Sequence, residues 1–279
     1  RNVGIMKHRA LWGYNTYEVL RGTWKGIMVP GLTFGNVVSC LKAEVQSALE
    51  INQRAVVRLA LGAHGKTTNE AVQGDMGWAS FEVQEVQSKI LYEERLKKLD
   101  SNRWAAKVFK YLYLKSVDSQ WRKRMRKLTS KYAGHKDEEI KSVEQQVKNT
   151  EGKNWRNPME NNVKIYRKWK SQIRKEALFD NARVSALLFE ARSGCLRTRS
   201  YKKKFNKEDD TCAVCGKSTE TINHIILECN GIHPEVDAGA VTLPEALRFR
   251  DTSGRVNEPA VEASKKRLED WWLKSRKMT

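Results

Sequence analysis

Apolar positions along the chain recur at helical rather than alternating intervals. "NTYEVLRGTWKGIMVPGLTFGNVV" reads as a helix interrupted near Pro30 and Gly31. "CLKAEVQSALEINQRAVVRLALGAHG" follows as a second helix, with Val45, Leu49, Val56 and Leu59 at roughly helical spacing. Thr67 or Thr68 is placed to cap a short helix ending by Gly77, and Ser80 to cap a longer one whose Val83, Val86, Ile90 and Leu91 face a core. "WRKRMRKLTSKY" predicts a basic helix from Trp121 to Tyr132, stopped near Gly134. From Pro158 to Ser193, Val163, Tyr166, Trp169, Ile173, Ala177, Val184 and Leu188 recur mostly at intervals of three and four. They predict one apolar stripe of a long helix with Gly194 as its stop. No strand pattern of useful length and no repeat is evident, and residues 134–157 and 230–258 read as the least ordered. The pattern predicts a mainly α protein, a helical bundle with long basic helices.

Charge sharpens this picture. The formal net charge is +19 and the sequence pI about 9.7, a balance suited to an anionic polymer or surface. Between Arg103 and Lys204 there are 28 Lys and Arg against 10 Asp and Glu, so this third of the chain carries nearly all the excess. Aromatic residues from Trp104 through Phe179 to Tyr201 are threaded through it, the mixture that phosphate contact and base stacking use, although most of them read as helix core. The candidate nucleic-acid contacts are Arg122, Lys123, Arg124, Arg126, Lys127, Trp155, Lys164, Arg167, Lys168, Arg174, Lys175, Arg197, Arg199, Lys202 and Lys203. A membrane-surface helix has a similar charge pattern, but interleaved aromatics and a metal motif add nothing to lipid binding.

That motif lies in "TCAVCGKSTETINHIILEC". Cys212, Cys215, His224 and Cys229 fall within 18 residues, while the rest of the chain holds only Cys40 and Cys195. A Cys-x-x-Cys turn delivers two thiolates from one knuckle, and a later His and Cys complete a tetrahedral set, so the spacing predicts one structural zinc ion in a CCHC knuckle. Gly216 suits the reversal after the second cysteine. His233 is a competing ligand by distance along the chain, and exposure beside Pro234 is the simpler reading. Thiolate ligation implies a reducing compartment, hence nucleus or cytoplasm rather than secretion.

Four stretches carry a family resemblance: "WKGIMVPGLTFGNVV", then "INQRAVVRLALGAHGKTTNEAVQGDMGWASFEVQEVQSKILYEERL", then "ARSGCLRTRSYKK" leading into "CAVCGKSTETINHIILEC". Over roughly residues 12 to 232 the chain resembles the C-terminal part of the polyprotein of a non-LTR (LINE-like) retrotransposon, of the kind abundant in arthropods such as ticks. The resemblance implies a helical end of the polymerase and thumb-like region over 1–100 and a basic helical nucleic-acid-binding linker over 101–204. It places the knuckle at 205–232 and a tail with a helix at 233–279. It also implies a part in target-primed reverse transcription, in which such proteins bind their transcript, nick chromosomal DNA and copy RNA from the exposed end. The palm of such polymerases uses paired aspartates for two magnesium ions. The one adjacent pair here, Asp209 and Asp210, sits in a charged linker, so Mg2+ is expected only in a full-length polymerase. No endonuclease pattern fits, and the start at "RNVG" without Met fits a fragment that is not an enzyme on its own.

Other chemistry is weaker. "GAHGKTT" lacks the earlier glycine and preceding strand of a phosphate loop. Cys195 reads as packing or, beside cations, as a reactive thiol. No apolar run spans a membrane. The expected partners are RNA and/or DNA and the rest of the polyprotein, with no membrane and no small-molecule substrate. The alternative reading is a zinc-stabilised helical protein-interaction module derived from a transposon.

Overall fold

A computed structural model describes residues 16–132, 140–160, 164–177, 182–206, 209–235, 241–251 and 253–277. The expected stop at Gly134, Val163 of the apolar stripe and Phe179 lie outside them. The elements are α1 (Thr16–Thr23), α2 (Val29–Thr33), α3 (Ala43–Ala60), α4 (Asn69–Met76), α5 (Phe81–Lys98), α6 (Trp104–Leu114) and α7 (Gln120–Tyr132). They continue as α8 (Ile140–Arg156), α9 (Lys164–Trp169), α10 (Arg183–Arg192), α11 (Arg199–Lys203), α12 (Leu243–Ala246) and α13 (Glu258–Lys277). Among the described residues there are no strands, only an isolated bridge between Thr211 and Thr219. The protein is mainly helical. Two compact units divide the chain, one from residues 22–53 and 78–157, the other from 1–21, 54–77 and 158–279.

In the first unit the expected break at Pro30 is instead a distortion. A π-helical turn, Trp24–Met28, carries the chain straight into α2, with the Val29 amide donating to the Trp24 carbonyl. Pro30, the second residue of α2, has no amide to donate back into that turn, and the helix passes it with the wider π-helical turn directly before it. Ser80 caps α5 as expected, its Oγ accepting from the Val83 amide at 3.2 Å. Val83, Val86, Leu128, Tyr132, Val143 and Val147 then pack together from α5, α7 and α8, each aliphatic contributing about 1.5–3 kcal/mol by burial. Leu91 is 44% exposed. At about 100° per residue it falls on the far side of α5 from Lys89 and Glu93, both buried. Lys89 replaces it inside, donating to the carbonyls of Asn36 and Ser39 at 2.7 Å each. Residues 140–156, expected to be poorly ordered, form α8. Val143, Val147 and Trp155 line its buried side beneath a surface of Gln, Lys and Asn that hid the pattern.

In the second unit α4 ends at Gly77, whose φ of 69° only glycine adopts freely. A Cβ there would lie 2.3 Å from the Lys175 amide nitrogen. That approach explains why no single long helix runs from Pro158 to Ser193. The chain leaves α9 at Trp169, and the following loop pairs with the end of α4, Arg174 N donating to Gly74 O and Glu176 N to Asp75 O. Buried charge holds it there. Asp75 pairs with Arg192 at 3.0 Å, both side chains fully buried, and Lys170 pairs with Glu176 and Asp75. The predicted stripe is therefore shared between two helices, with Tyr166 of α9 and Leu188 of α10 both buried and Ala177 exposed between them. Gly194 does follow the end of α10, with φ 68°.

Candidate metal centre and basic cleft

The second unit carries the Cys/His cluster. Bonding beside the Thr211–Thr219 bridge, Cys212 N to Ser218 O at 2.7 Å, closes the Cys-x-x-Cys loop. Gly216, at φ 65°, makes the reversal inside it. Thr221 Oγ1 accepts from the His224 amide and starts a π-helical turn, His224–Glu228, which the Cys229 amide closes on the His224 carbonyl at 2.7 Å. The four ligand atoms of Cys212, Cys215, His224 and Cys229 lie within 4.8 Å of one another. Cys212 Sγ is 3.9 Å from Cys229 Sγ, and Cys215 Sγ is 3.3 Å from His224 Nε2. Zinc–sulfur bonds of about 2.3 Å at tetrahedral angles set sulfur atoms about 3.8 Å apart, so the donors fit such an ion. This Cys3His group can hold a metal ion.

The electrostatics ask for a cation. Burial pushes the Cys229 thiol up to about 12 and raises Cys212 as well. Burial acts upward on Cys215 too, but the Lys217 amide and the His224 ring overcome it and bring that thiol down to about 6. Three thiolates at one point therefore need a positive charge between them, which a metal supplies. Glu228 lies 3.6 Å from His224 Nδ1, which leaves Nε2 toward the sulfurs.

The bracing of this loop had no signal in the cysteine spacing. Arg267, 1% exposed on α13, donates to the carbonyls of Ile225, Cys229 and Ile232 at 3.1, 2.8 and 2.7 Å, and also to that of Pro234. Lys274 reaches Gly231 O, and Asp270 accepts from the His233 amide. His233 is exposed and stands apart from the ligand group. On the other flank the buried Glu220 carboxylate accepts from the amides of Arg199 and Ala213 at 2.8 and 3.1 Å, tying the start of α11 to the ligand loop.

The expected nucleic-acid contacts separate into three groups. On α7, Arg122 donates to the carbonyls of Leu112 and Val117, and Arg124 pairs with buried Glu85 at 2.6 Å, so both are structural brackets. Lys123 and Arg126 pair with exposed Asp118, leaving Lys127 outward. Trp155 is 4% exposed, so its ring belongs to the core and is closed to base stacking. In the second unit Lys164, Lys168 and Arg174 are exposed and Arg167 is half-buried, while Lys175 pairs with Glu18 and Lys203 with Asp210. Arg197, Arg199 and Lys202 come together. With Arg183 and Arg276, which sequence reasoning passed over, they line a cleft of about 410 Å³ beside the metal loop. Asp209 accepts from the amide and hydroxyl of Thr211 in a turn. Cys195 is buried, and burial raises its thiol, which makes it packing. Among the described residues no helix is long and apolar enough to cross a membrane. Comparison with family models, curated proteins and solved structures returns no match.

Proposed function

We propose that the chain binds nucleic acid through a module braced by one structural zinc ion, as the C-terminal region of a non-LTR retrotransposon reverse transcriptase that holds RNA or DNA during target-primed reverse transcription. Three thiolates and an imidazole favour zinc over harder cations. In this reading the ion fixes the loop that adjoins the basic surface, and the polymerase chemistry belongs to a palm in another part of the polyprotein. The observation that carries it is the cluster of cations beside the Cys3His group, Arg183, Arg197, Arg199, Lys202 and Arg276. Arg183 and Arg276 lie against the Trp272 ring, and Arg197 acts on the carboxyl of Glu190 through its charge. Fluorescence anisotropy of the zinc-loaded chain with labelled single-stranded RNA, single-stranded DNA and duplex tests it. Binding at 50 mM salt, about the lower end of the range over which such contacts are usually compared, is the expected result, and no binding to any of the three would remove the reading.

A second reading, a protein-interaction module, draws on α6. Trp104, Val108, Tyr111 and Leu114 are 80%, 52%, 58% and 82% exposed along that helix, and such a row is a site another protein would cover. Replacing Trp104 and Tyr111 with Ser would then alter association in sedimentation and leave nucleic-acid affinity unchanged.

A further inference from the structure

The cleft beside the metal loop is built for an anion. Arg183 of α10 and Arg276 of α13 both lie against the Trp272 ring, their guanidinium carbons 3.9 and 4.1 Å from its centroid. Stacking occupies the flat face of a guanidinium and leaves its edge N–H groups free for in-plane hydrogen bonds. Lys202, exposed on α11, and Arg197 add two further cations to the same walls. The two carboxylates in the lining are already engaged. Glu220 holds the amides of Arg199 and Ala213, and Glu190 is buried and accepts from the His64 amide.

A second observation is independent of charge. Trp271 lines this cleft, is 5% exposed, and its buried Nε1 has no hydrogen-bond partner among the described residues. An indole N–H only donates, as guanidinium and ammonium groups do, so every unfilled polar group here calls for an acceptor. The ligand must therefore be negatively charged and rich in acceptors. The cleft's volume lies at the lower end of the range for small-ligand sites, about 300–1,000 Å³, and suits one phosphate with part of its neighbouring sugar.

We propose that this cleft is a phosphate-binding site, with Arg183 and Arg276 as its donors, and that the phosphate it takes is one in a nucleic-acid backbone. The proposal rests on the nucleic-acid reading above and adds where on the surface the strand is gripped. Phosphate chemistry alone would also admit a free nucleotide, so the test separates the two sources.

The experiment uses the full, zinc-loaded chain. Anisotropy reports binding of a labelled single-stranded 12-mer (about the length that spans one such site and its flanks), and tryptophan emission is followed on titration with a 5′-mononucleotide and with inorganic phosphate. Two double variants are compared, Arg183→Gln with Arg276→Gln, and the exposed pair Arg197→Gln with Lys202→Gln, which does not touch the packing of Trp272. Each pair should weaken the 12-mer about tenfold or more and reduce the salt slope by about 0.7 for every phosphate left without its cation. The mononucleotide should bind far more weakly than the 12-mer. If the parent binds the 12-mer and both variants bind equally well, the cleft assignment is overturned and the nucleic-acid reading stands. If the mononucleotide binds as tightly as the 12-mer, the backbone assignment is overturned in favour of a nucleotide site. If the parent binds neither oligonucleotide nor phosphate, both fail.

Discussion

Arg267 donates to the carbonyl oxygen of Cys229 at 2.8 Å, from a helix 38 residues further along the chain. The same buried guanidinium satisfies three more carbonyls around the ligand loop. Removing it leaves those acceptors unpaired in a dry setting and frees the backbone that aims Cys229. Arg267→Ala is expected to lower metal affinity about 10–100-fold, the usual effect of losing an orienting partner. Arg267→Lys should recover only part, because an ammonium cannot span the fork of acceptors. Competition with a chromophoric chelator measures both.

Chelation should act locally and on all four ligands at once. Few apolar side chains of the segment around the ligands are buried, Ile225, Ile226 and Ile232 among them, so the ion carries much of its local stability. Purified protein should carry one equivalent of zinc. Stripping it should raise proteolysis between residues 209 and 235 while the circular dichroism of the helices changes little. Cys212→Ser, Cys215→Ser, His224→Ala and Cys229→Ser should each reproduce that cleavage pattern.

Acid should find the Asp75–Arg192 pair. Burial of Asp75 favours its neutral form, but Arg192 and Lys170 overcome that and hold the carboxyl below its ordinary value of 3.8. A carboxylate depressed in the folded state contributes stability that is present above its unfolded pKa and lost as pH falls through the folded one. The parent should therefore lose stability steeply below about pH 4. Asp75→Asn, which leaves Arg192 buried and unpaired, should cost about 3–5 kcal/mol at neutral pH and flatten the acid limb. Urea midpoints from neutral pH into that acid range report both effects.

Trp155 separates folding from binding. As a core residue, Trp155→Ala should cost about 3–5 kcal/mol of stability, with affinity per folded molecule unchanged. Thermal unfolding alongside anisotropy distinguishes this from a stacking role, for which affinity alone would fall.

Much of this architecture is legible in the chain. The caps at Ser80 and Gly77 and the grouping of Cys212, Cys215, His224 and Cys229 follow from local rules, since a turn or knuckle is decided by residues a few positions apart, whereas Thr68 holds the N-cap position of α4 without its hydroxyl bonding the first turn. What stayed hidden depends on partners distant in sequence. Lys170, Arg192 and Arg267 read as surface cations by composition, yet each is buried against carboxylates or carbonyls contributed by other segments. The same long-range pairing broke the expected helix after Trp169. It also placed Arg183 and Arg276, 93 positions apart, against one tryptophan that the charge count did not single out.

The most direct measurement is the salt dependence of affinity for the zinc-loaded chain. Each phosphate contact releases condensed counterions, giving a slope of about −0.9 in log affinity against log salt on duplex and about −0.7 on a single strand. With about six contacts drawn from the cleft and the exposed residues around Lys164 and Lys168, duplex affinity should fall roughly a thousandfold between 50 and 200 mM salt. Lys164→Ala with Lys168→Ala should flatten the slope by about one and a half to two. An affinity independent of salt, or a chain that ignores nucleic acid at the lowest salt, would contradict the account.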